Sequence, residues 1–287
     1  MDIQTWKGKG QFYRYKDQFN IFYVQEGQGP DLVLFHGFPT ASWDWYKVWE
    51  ALTERFTVLA FDFLGFGFSD KPKRHPYALI EQADIGAALI RHFDIQTYHL
   101  LVHDYGVSVA QELLARQAEG KMNGIQSVCF LNGGLFPSLH HPRPIQRALI
   151  SPLGFMLVPF LSKSMLRKNF HEVFGKDTPP SDWEVDQFYA LMEHKGGKYI
   201  FHRLIRYMAD RKQYGKRWRK AILEASIPIR LINGAQDPVS GKHLAEYYQS
   251  VATKPDVVIL GDYGHYPQTE APEVVLEHFF HFINLVQ

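Results

Sequence analysis

Residues 98–117 read YHLLVHDYGVSVAQELLARQ, and their pattern indicates the type of fold. Tyr98 to Val102 form a short run of large, mostly apolar residues, which is typical of a strand buried on both faces. Beyond the turn that contains Asp104 and Gly106, apolar residues recur at helical spacing from Val107 to Gln117. The stretch therefore predicts a buried strand that turns sharply into a helix.

Short apolar runs and helical stretches alternate on both sides of this segment. Further strands are predicted at Asp31–Phe35, Thr57–Phe61 and Gln126–Leu131, and helices at Trp43–Thr53 and Ile80–Phe93. Two earlier runs, Gln11–Tyr15 and Ile21–Gln25, are rich in aromatic and branched residues and predict a hairpin. Buried strands that alternate with helices predict an α/β fold, in which helices cover both faces of a mostly parallel sheet.

A long insertion interrupts this alternation. The pattern stops after Asn132 and resumes with a strand at Ile227–Ile232, a helix from Gly241, a strand at Pro255–Leu260 and a helix from Pro272. Ligands of open α/β sheets bind beyond the carboxyl ends of the strands, so an insertion that follows a strand is expected to roof that crevice. We therefore predict a core of residues 1–133 and 222–287, with a helical cap formed by residues 134–221.

Composition narrows the classes of partner. Thirty-one Lys and Arg residues against 30 Asp and Glu residues give a formal charge of +1, which argues against a general nucleic-acid binder. The aromatic content of 15% favours an apolar pocket and a small, largely apolar organic substrate. Nothing in the sequence decides the oligomeric state.

The number of cysteines and the length of the apolar runs indicate where in the cell the protein is expected. Cys129 is the single cysteine, so no disulfide framework is expected. The most apolar segment, Ala148–Leu161, is shorter than a membrane span and contains two prolines, which favours a buried or interfacial segment. We expect a soluble, cytoplasmic protein without stable membrane insertion.

No cofactor is expected. The glycine-containing run Asp62–Ser69 lacks the third glycine of a dinucleotide-binding turn, because Asp70 occupies that position. The histidines, carboxylates and single cysteine show no metal-ligand spacing.

Three polar positions follow predicted strands in an order that suggests catalysis. Asp104 stands at the strand-to-helix turn, where a nucleophile is presented in the Ser-based version of this motif. Asp237 and His265 follow the last two strands, so the chain order is nucleophile, acid, base. The alternative for Asp104 alone is an ordinary helix N-cap, and any single histidine is more often structural.

These motifs resemble a known branch of proteins over nearly the whole chain. The segments HGFPT, DFLGFGFSD, VHDYG, DPV and GHYPQTEAPE are similar to those of epoxide hydrolases and haloalkane dehalogenases in the α/β-hydrolase superfamily. The resemblance implies that Asp104 is the nucleophile, Asp237 the acid and His265 the base. It also implies that the backbone amides of Phe38 and Tyr105 form an oxyanion hole. The other residues of the loop that carries Phe38 are His36, Gly37 and Pro39.

An aspartate nucleophile implies a two-step reaction. Its carboxylate is already ionised at neutral pH, so it attacks a saturated carbon without a base and forms an alkyl-enzyme ester. Water that is activated by His265 and oriented through Asp237 then hydrolyses this ester.

The leaving group stays open at this point. Haloalkane dehalogenases hold halide with N–H donors where this chain has Tyr105 and Phe38, and the arginine that a fluoroacetate-type dehalogenase has beside its nucleophile is missing from the sequence there. In epoxide hydrolases, cap tyrosines protonate the opening oxygen, and Tyr207 occupies about such a place, unless it is a packing residue. Epoxide hydrolysis therefore leads, with dehalogenation or another α/β-hydrolase activity as the alternative and a catalytically silent binding protein as a third hypothesis.

The end of the predicted cap is strongly basic. Between positions 203 and 220 a single acidic residue, Asp210, accompanies a set of eight basic ones: Arg203, Arg206, Arg211, Lys212, Lys216, Arg217, Arg219 and Lys220. A solvated helix face is the ordinary explanation, and attraction of anionic substrates or lipid headgroups is the alternative.

Overall fold

The computed structural model describes residues 1–286 and contains one mixed sheet. Its strands are β1 Gln11–Tyr15, β2 Phe19–Glu26, β3 Asp31–Phe35, β4 Thr57–Phe61, β5 Tyr98–Val102, β6 Ile125–Phe130, β7 Ile229–Gly234 and β8 Val257–Leu260. Their order across the sheet is β1-β2-β4-β3-β5-β6-β7-β8. Strands β1 and β2 form the predicted hairpin, β2 runs antiparallel to β4, and all remaining pairs are parallel. The predicted fold class is therefore confirmed.

The α-helices follow in chain order. They are α1 Ile3–Lys9, α2 Trp49–Thr53, α3 Leu79–His92, α4 Tyr105–Ala118, α5 Pro144–Ile150, α6 Gly154–Leu157, α7 Lys163–Val173, α8 Asp182–Glu193, α9 Phe201–Leu204, α10 Tyr207–Leu223, α11 Lys242–Val251, α12 Pro267–Glu270 and α13 Pro272–Val286. Short 3₁₀ helices occur at Ser42–Trp45, Pro137–Leu139, Val158–Phe160 and His194–Ile200. In the described residues, no helix has both the length and the apolar character needed to cross a membrane.

Several boundaries differ from those that the sequence pattern predicts. Strand β7 begins two residues later than predicted because Pro228, which has no N–H, precedes it. The predicted helix Trp43–Thr53 is two pieces, a 3₁₀ turn and then α2. Helix α1 is an element that the apolar pattern missed; the Asp2 side chain caps it by accepting from the Thr5 amide at 2.7 Å.

The insertion is helical and packs on the core. Residues 131–228, between β6 and β7, form helices and turns, and α10 lies against α4, the helix that follows Asp104. Strands β3 to β8 all run parallel to one another. Their carboxyl ends therefore lie at the same edge of the sheet. The loops at this edge carry Phe38, Asp104, Asp237 and His265.

Candidate active site

Asp104 lies in a sharp turn between β5 and α4. Its φ of 41° and ψ of −97° are unusual for a residue with a side chain. The turn is held by neighbouring backbone, since the Asp104 amide donates to the Asn132 carbonyl at 2.8 Å and the Gly106 amide donates to the His36 carbonyl at 3.0 Å. A Cβ on Gly106 would lie 2.5 Å from the backbone oxygen of Phe35, so the helix can approach β3 only because this residue is glycine.

The three predicted catalytic side chains meet at the end of the sheet. His265 Nδ1 lies 2.7 Å from Asp237 Oδ2, and His265 Nε2 lies 4.0 Å from Asp104 Oδ2. All three side chains are buried. The histidine therefore has one ring nitrogen on a carboxylate and the other facing the side chain of Asp104.

Asp237 is fixed by hydrogen bonds as well as by the histidine. Its carboxylate accepts from Asn132 Nδ2 at 3.0 Å, from Ser240 Oγ at 2.7 Å and from the Val239 amide at 2.7 Å. Burial alone would raise its pKa, but the charge of His265 and these donors lower the pKa below its usual range. Asp237 is thus ionised at neutral pH.

His265 has the opposite shift. Burial would lower its pKa, but the Asp237 carboxylate, with smaller contributions from Asp104 and Glu270, raises the pKa from 6.5 to about 9. The resting imidazole is therefore protonated at neutral pH and lies between two carboxylates. The same cation contributes to the low pKa of Asp104, against the effect of burial.

The loop after β3 supplies one of the two predicted oxyanion donors directly. The Phe38 amide donates to Asp104 Oδ2 at 3.0 Å. The Gly37 amide is turned towards Asp44 Oδ2 at 3.3 Å, and Pro39 lines the cavity over Asp104. Among these residues, Phe38 alone has its amide on the Asp104 carboxylate.

His36 and Tyr105 have supporting positions. His36 Nε2 accepts from the Phe63 amide at 3.1 Å, which ties the loop after β3 to the loop after β4. Tyr105 opens α4, where backbone amides have no partner within the helix. Its ring is buried against Phe63, Phe66 and Tyr207.

Arg211 is the principal site residue that sequence reasoning missed. Its guanidinium is buried behind Asp104, with Nη2 3.1 Å from the Asp104 backbone oxygen and 3.5 Å from Oδ1, while Nε donates to Ser108 Oγ at 2.7 Å. The sequence has no arginine directly beside Asp104, and the structure brings one there from a distant position. The sequence did not predict this contact, because Arg211 lies in α10, about a hundred residues after Asp104 in the chain.

The basic segment is consequently not a uniform solvated face. Arg211 is buried, and Arg217 forms ion pairs with Glu112 of α4 and with Glu119, the residue that follows this helix. The sequence pattern missed these partners because they lie far away along the chain. A periodic signal was available, since Tyr207, Arg211 and Trp218 lie on the buried side of the helix.

Tyr207 lies next to the site but does not line the cavity. Its ring packs on Tyr105 and Phe38, and the Arg211 guanidinium stacks on it at 4.4 Å. Its hydroxyl is 3.4 Å from Nε2 of Gln146, which does line the cavity. Burial raises the pKa of the hydroxyl, so it stays protonated.

A cavity of about 120 Å³ opens above Asp104 and His265. The core contributes Phe38, Pro39, Val239 and Tyr266, and the insertion contributes mostly apolar side chains. The polar members from the insertion are Arg143, Gln146, Ser162 and Asn169. None of these four residues belonged to the predicted site, because they come from a part of the insertion with no recognisable motif. Tyr266 was not predicted either, although it directly follows His265 in one of the quoted motifs.

The described residues 1–286 contain no group of three or more His, Cys, Asp or Glu side chains suited to a metal ion. The single cysteine, Cys129, is buried in β6.

The sequence and the geometry place the chain in a known class. It belongs to the alpha/beta hydrolase family, whose pattern matches residues 32–278, and this confirms the family predicted from the motifs. One relative is the mesoderm-specific transcript homolog protein of Homo sapiens, 41% identical over 297 residues that cover 98% of this chain and 88% of the relative.

Two solved structures share the fold. One is a loop variant of the haloalkane dehalogenase DbeA from Bradyrhizobium elkanii, with a TM-score of 0.81, 20% identity and coverage of 96% of this chain and 97% of that chain. The other is the epoxide hydrolase CorEH, with a TM-score of 0.79, 21% identity and coverage of 97% of this chain and 99% of that chain. At this level of identity, the likeness establishes the architecture.

Proposed function

We propose that this protein is a hydrolase in which Asp104 is the nucleophile, His265 the base and Asp237 the acid that orients it. The observation that carries the proposal is the placement of an aspartate, and not a serine, at the strained turn, with His265 Nε2 4.0 Å from its carboxylate. The nearby Ser108 is no substitute, since its hydroxyl is bonded to Arg211 behind the turn.

In the first step, a carboxylate oxygen of Asp104 bonds to a saturated carbon of the substrate, and the bond from that carbon to its leaving group breaks. No base is needed, because the carboxylate is ionised. Arg211 and the Phe38 amide hold the carboxylate in place from two sides. An alkyl ester of Asp104 results.

In the second step, water adds to the carboxyl carbon of Asp104, and His265 takes its proton. The oxyanion forms on the former carboxylate, where the Phe38 amide already contacts Oδ2 at 3.0 Å. Collapse of this intermediate releases the alcohol and restores Asp104. The 4.0 Å between His265 Nε2 and Asp104 Oδ2 matches a base that acts through water.

The charges favour this order of events. While Asp104 is ionised, it contributes to the high pKa of His265. Ester formation removes that charge, so the pKa of His265 falls and the imidazole loses its proton more readily, which favours its action as the base. The first step therefore prepares the second.

Epoxide opening leads as the reaction, and dehalogenation is the runner-up. In the described chain, no tryptophan lines the cavity, whereas Tyr266, Gln146 and Asn169 do. Amides do not release a proton at neutral pH, so the groups suited to protonate an opening oxygen are the tyrosine hydroxyls, among them that of Tyr207 behind Gln146. The cavity is small and its lining is mostly apolar, which supports a small, largely apolar organic substrate.

The inserted residues 134–221 act as the cap in this proposal. They supply most of the cavity wall and close it over Asp104, which excludes bulk water from the ester. No cofactor takes part in either step.

The decisive experiment uses His265→Gln, which removes the base and leaves the nucleophile. We expect the variant to accumulate a covalent adduct, detected by mass spectrometry on the peptide that contains Asp104. An epoxide adds its whole mass, whereas a haloalkane adds its mass without hydrogen halide, so the adduct identifies the leaving group.

The matched control is the double variant Asp104→Asn with His265→Gln, which should form no adduct with the same compound. A compound that wild type turns over but that never labels His265→Gln would contradict the covalent mechanism. A wild-type protein that binds such compounds without turnover would favour the silent binding protein.

A further inference from the structure

The cap carries an exposed apolar segment, residues 150–160, which we call the apolar ridge. It contains no charged residue and reads ISPLGFMLVPF. Phe160 is 74% exposed and Leu153 62% exposed. Its other exposed large side chains are Ile150, Phe155, Met156 and Leu157. Apolar groups clustered in this way mark an interaction surface.

The ridge has a defined conformation. Val158 is buried within it, and buried Leu149 and Leu161 anchor its two ends. At its turn, a Cβ on Gly154 would lie 2.0 Å from the Leu149 backbone oxygen, so only glycine allows the chain to fold back there. The anchored ends hold the exposed side chains outward.

A set of basic residues, which we call the basic rim, borders the ridge. Its members are Lys73 and Arg74 from the loop before α3, Arg203 from α9, and Arg206, which directly precedes α10. They line the same surface groove as Ile150 and Phe155. The ring of His202 also packs near that of Phe155, at 6.5 Å between centroids.

The charges of the basic rim are not neutralised by the protein. Within residues 1–286, no ion pair includes any of its four members. Neighbouring carboxylates have other partners, since Glu81 contacts His75 and Asp70 pairs with Lys195. This face therefore combines apolar side chains with unbalanced positive charge, although the whole chain is nearly neutral.

We propose that the apolar ridge and the basic rim dock on the surface of a bilayer that contains anionic phospholipid. The ridge enters the boundary between headgroups and acyl chains, and the rim meets the phosphate groups beside it. Charge complementarity favours this occupant over an apolar protein partner or a second copy of the chain, because either of those would have to bury or neutralise four cations.

Docking would bring the cavity close to the lipid. Leu149 and Leu161, which flank the ridge, also line the cavity above Asp104, together with the partly exposed Met165. An apolar compound dissolved in the bilayer would reach the cavity along this side. Delivery of substrate rests on the proposed hydrolase function, whereas docking on the bilayer does not.

The test is co-sedimentation of the full chain with vesicles. We expect binding to an equimolar mixture of phosphatidylcholine and phosphatidylglycerol, weaker binding to phosphatidylcholine alone, and a loss of binding as salt is raised. The rim variant Arg203→Glu with Arg206→Glu should bind the anionic vesicles about tenfold more weakly or worse. The ridge variant Phe155→Ser with Phe160→Ser should lose about as much.

Two matched variants make these losses interpretable. Lys220→Glu with Lys242→Glu makes the same charge change at exposed sites outside the groove, and Phe12→Ser with Leu285→Ser removes exposed apolar groups elsewhere. Both should bind as wild type does. All variants replace surface residues, and thermal melting checks that they fold.

Three results would overturn the proposal. In the first, wild type binds neither type of vesicle at physiological salt. In the second, the rim and control variants lose binding equally, so that only net charge matters. In the third, ultracentrifugation finds a dimer that Phe155→Ser with Phe160→Ser dissociates while vesicle binding is absent, which would make the ridge a subunit interface.

Discussion

At the scale of single residues, Arg211 is, after His265, the second cation that lowers the pKa of the buried Asp104 carboxyl. It contacts both the backbone oxygen and the carboxylate of that residue, and it also bonds to Ser108. A planar guanidinium reaches these atoms at once, whereas a lysine would reach one of them. This makes Arg211 a positioning residue, because its N–H groups face the protein and not the cavity.

Replacement of Arg211 by Met should raise the pKa of Asp104. Loss of a cation beside a carboxylate shifts its titration by about one to three pH units, so the acid limb of kcat/KM should move up by that amount. Arg217→Met on the same helix is the control, since its ion pairs are with Glu112 and Glu119. An unchanged acid limb in a folded Arg211→Met protein would show that Arg211 has only a structural role.

Replacement of Tyr207 by Phe tests the acid that the epoxide mechanism requires. The ring packing on Phe38 and Tyr105 is kept, and only the hydroxyl near Gln146 is lost. If Tyr207 protonates the opening oxygen, epoxide turnover should fall by about 10²- to 10⁴-fold. Turnover at the wild-type rate would reassign this task to Tyr266, the tyrosine that lines the cavity.

At the scale of elements, the joint between β3 and α4 fixes the turn of Asp104. Gly106→Ala would place a methyl group 2.5 Å from Phe35 backbone and side-chain atoms, so α4 must shift. Overpacking of this kind costs about 1–3 kcal/mol of unfolding free energy, which urea unfolding measures. Activity should fall further than stability, since the shift also moves Asp104. Gly261→Ala is the control, because no atom lies within 4 Å of a Cβ added at this glycine.

Elements and site were predictable from the sequence to different degrees. The strands around Asp104, Asp237 and His265 have local signals, because apolar runs, glycines and prolines act within a few residues. The positions of these three residues at strand ends, in an order shared with the resembling family, predicted that their side chains meet, and they do. Arg211 and the cavity residues Gln146 and Asn169 did not, because their positions depend on how the helices of the insertion pack on α4.

At the scale of the whole molecule, His265 links pH to stability. Its pKa is about 9 in the folded protein and 6.5 as the unperturbed value, so its contribution is fully present below pH 6.5 and is lost as pH rises through 9. The difference in unfolding free energy between wild type and His265→Gln should therefore shrink by up to about 3 kcal/mol over that range. Urea unfolding at pH 6 and above pH 9 measures it.

The exposed His281 in α13 provides the comparison for this prediction. His281→Gln should leave the pH dependence of stability as in wild type, because the side chain lies on the surface. A difference for His265→Gln that stays constant with pH would mean that the imidazole is neutral in the resting protein, and the charge change proposed for ester formation would fail.

The bonds of Arg211 also limit how the molecule admits its substrate. The backbone of Arg211 belongs to the insertion, and its guanidinium is bonded to Asp104 and Ser108 of the core. A hinge that lifted the whole insertion would strip the aspartate of its cation at the moment of binding, at a high free-energy cost. We therefore expect the substrate to enter past flexible side chains at the edge of the cavity, such as Met165, which change rotamer. The backbone of the insertion is expected to stay in contact with the core during this step.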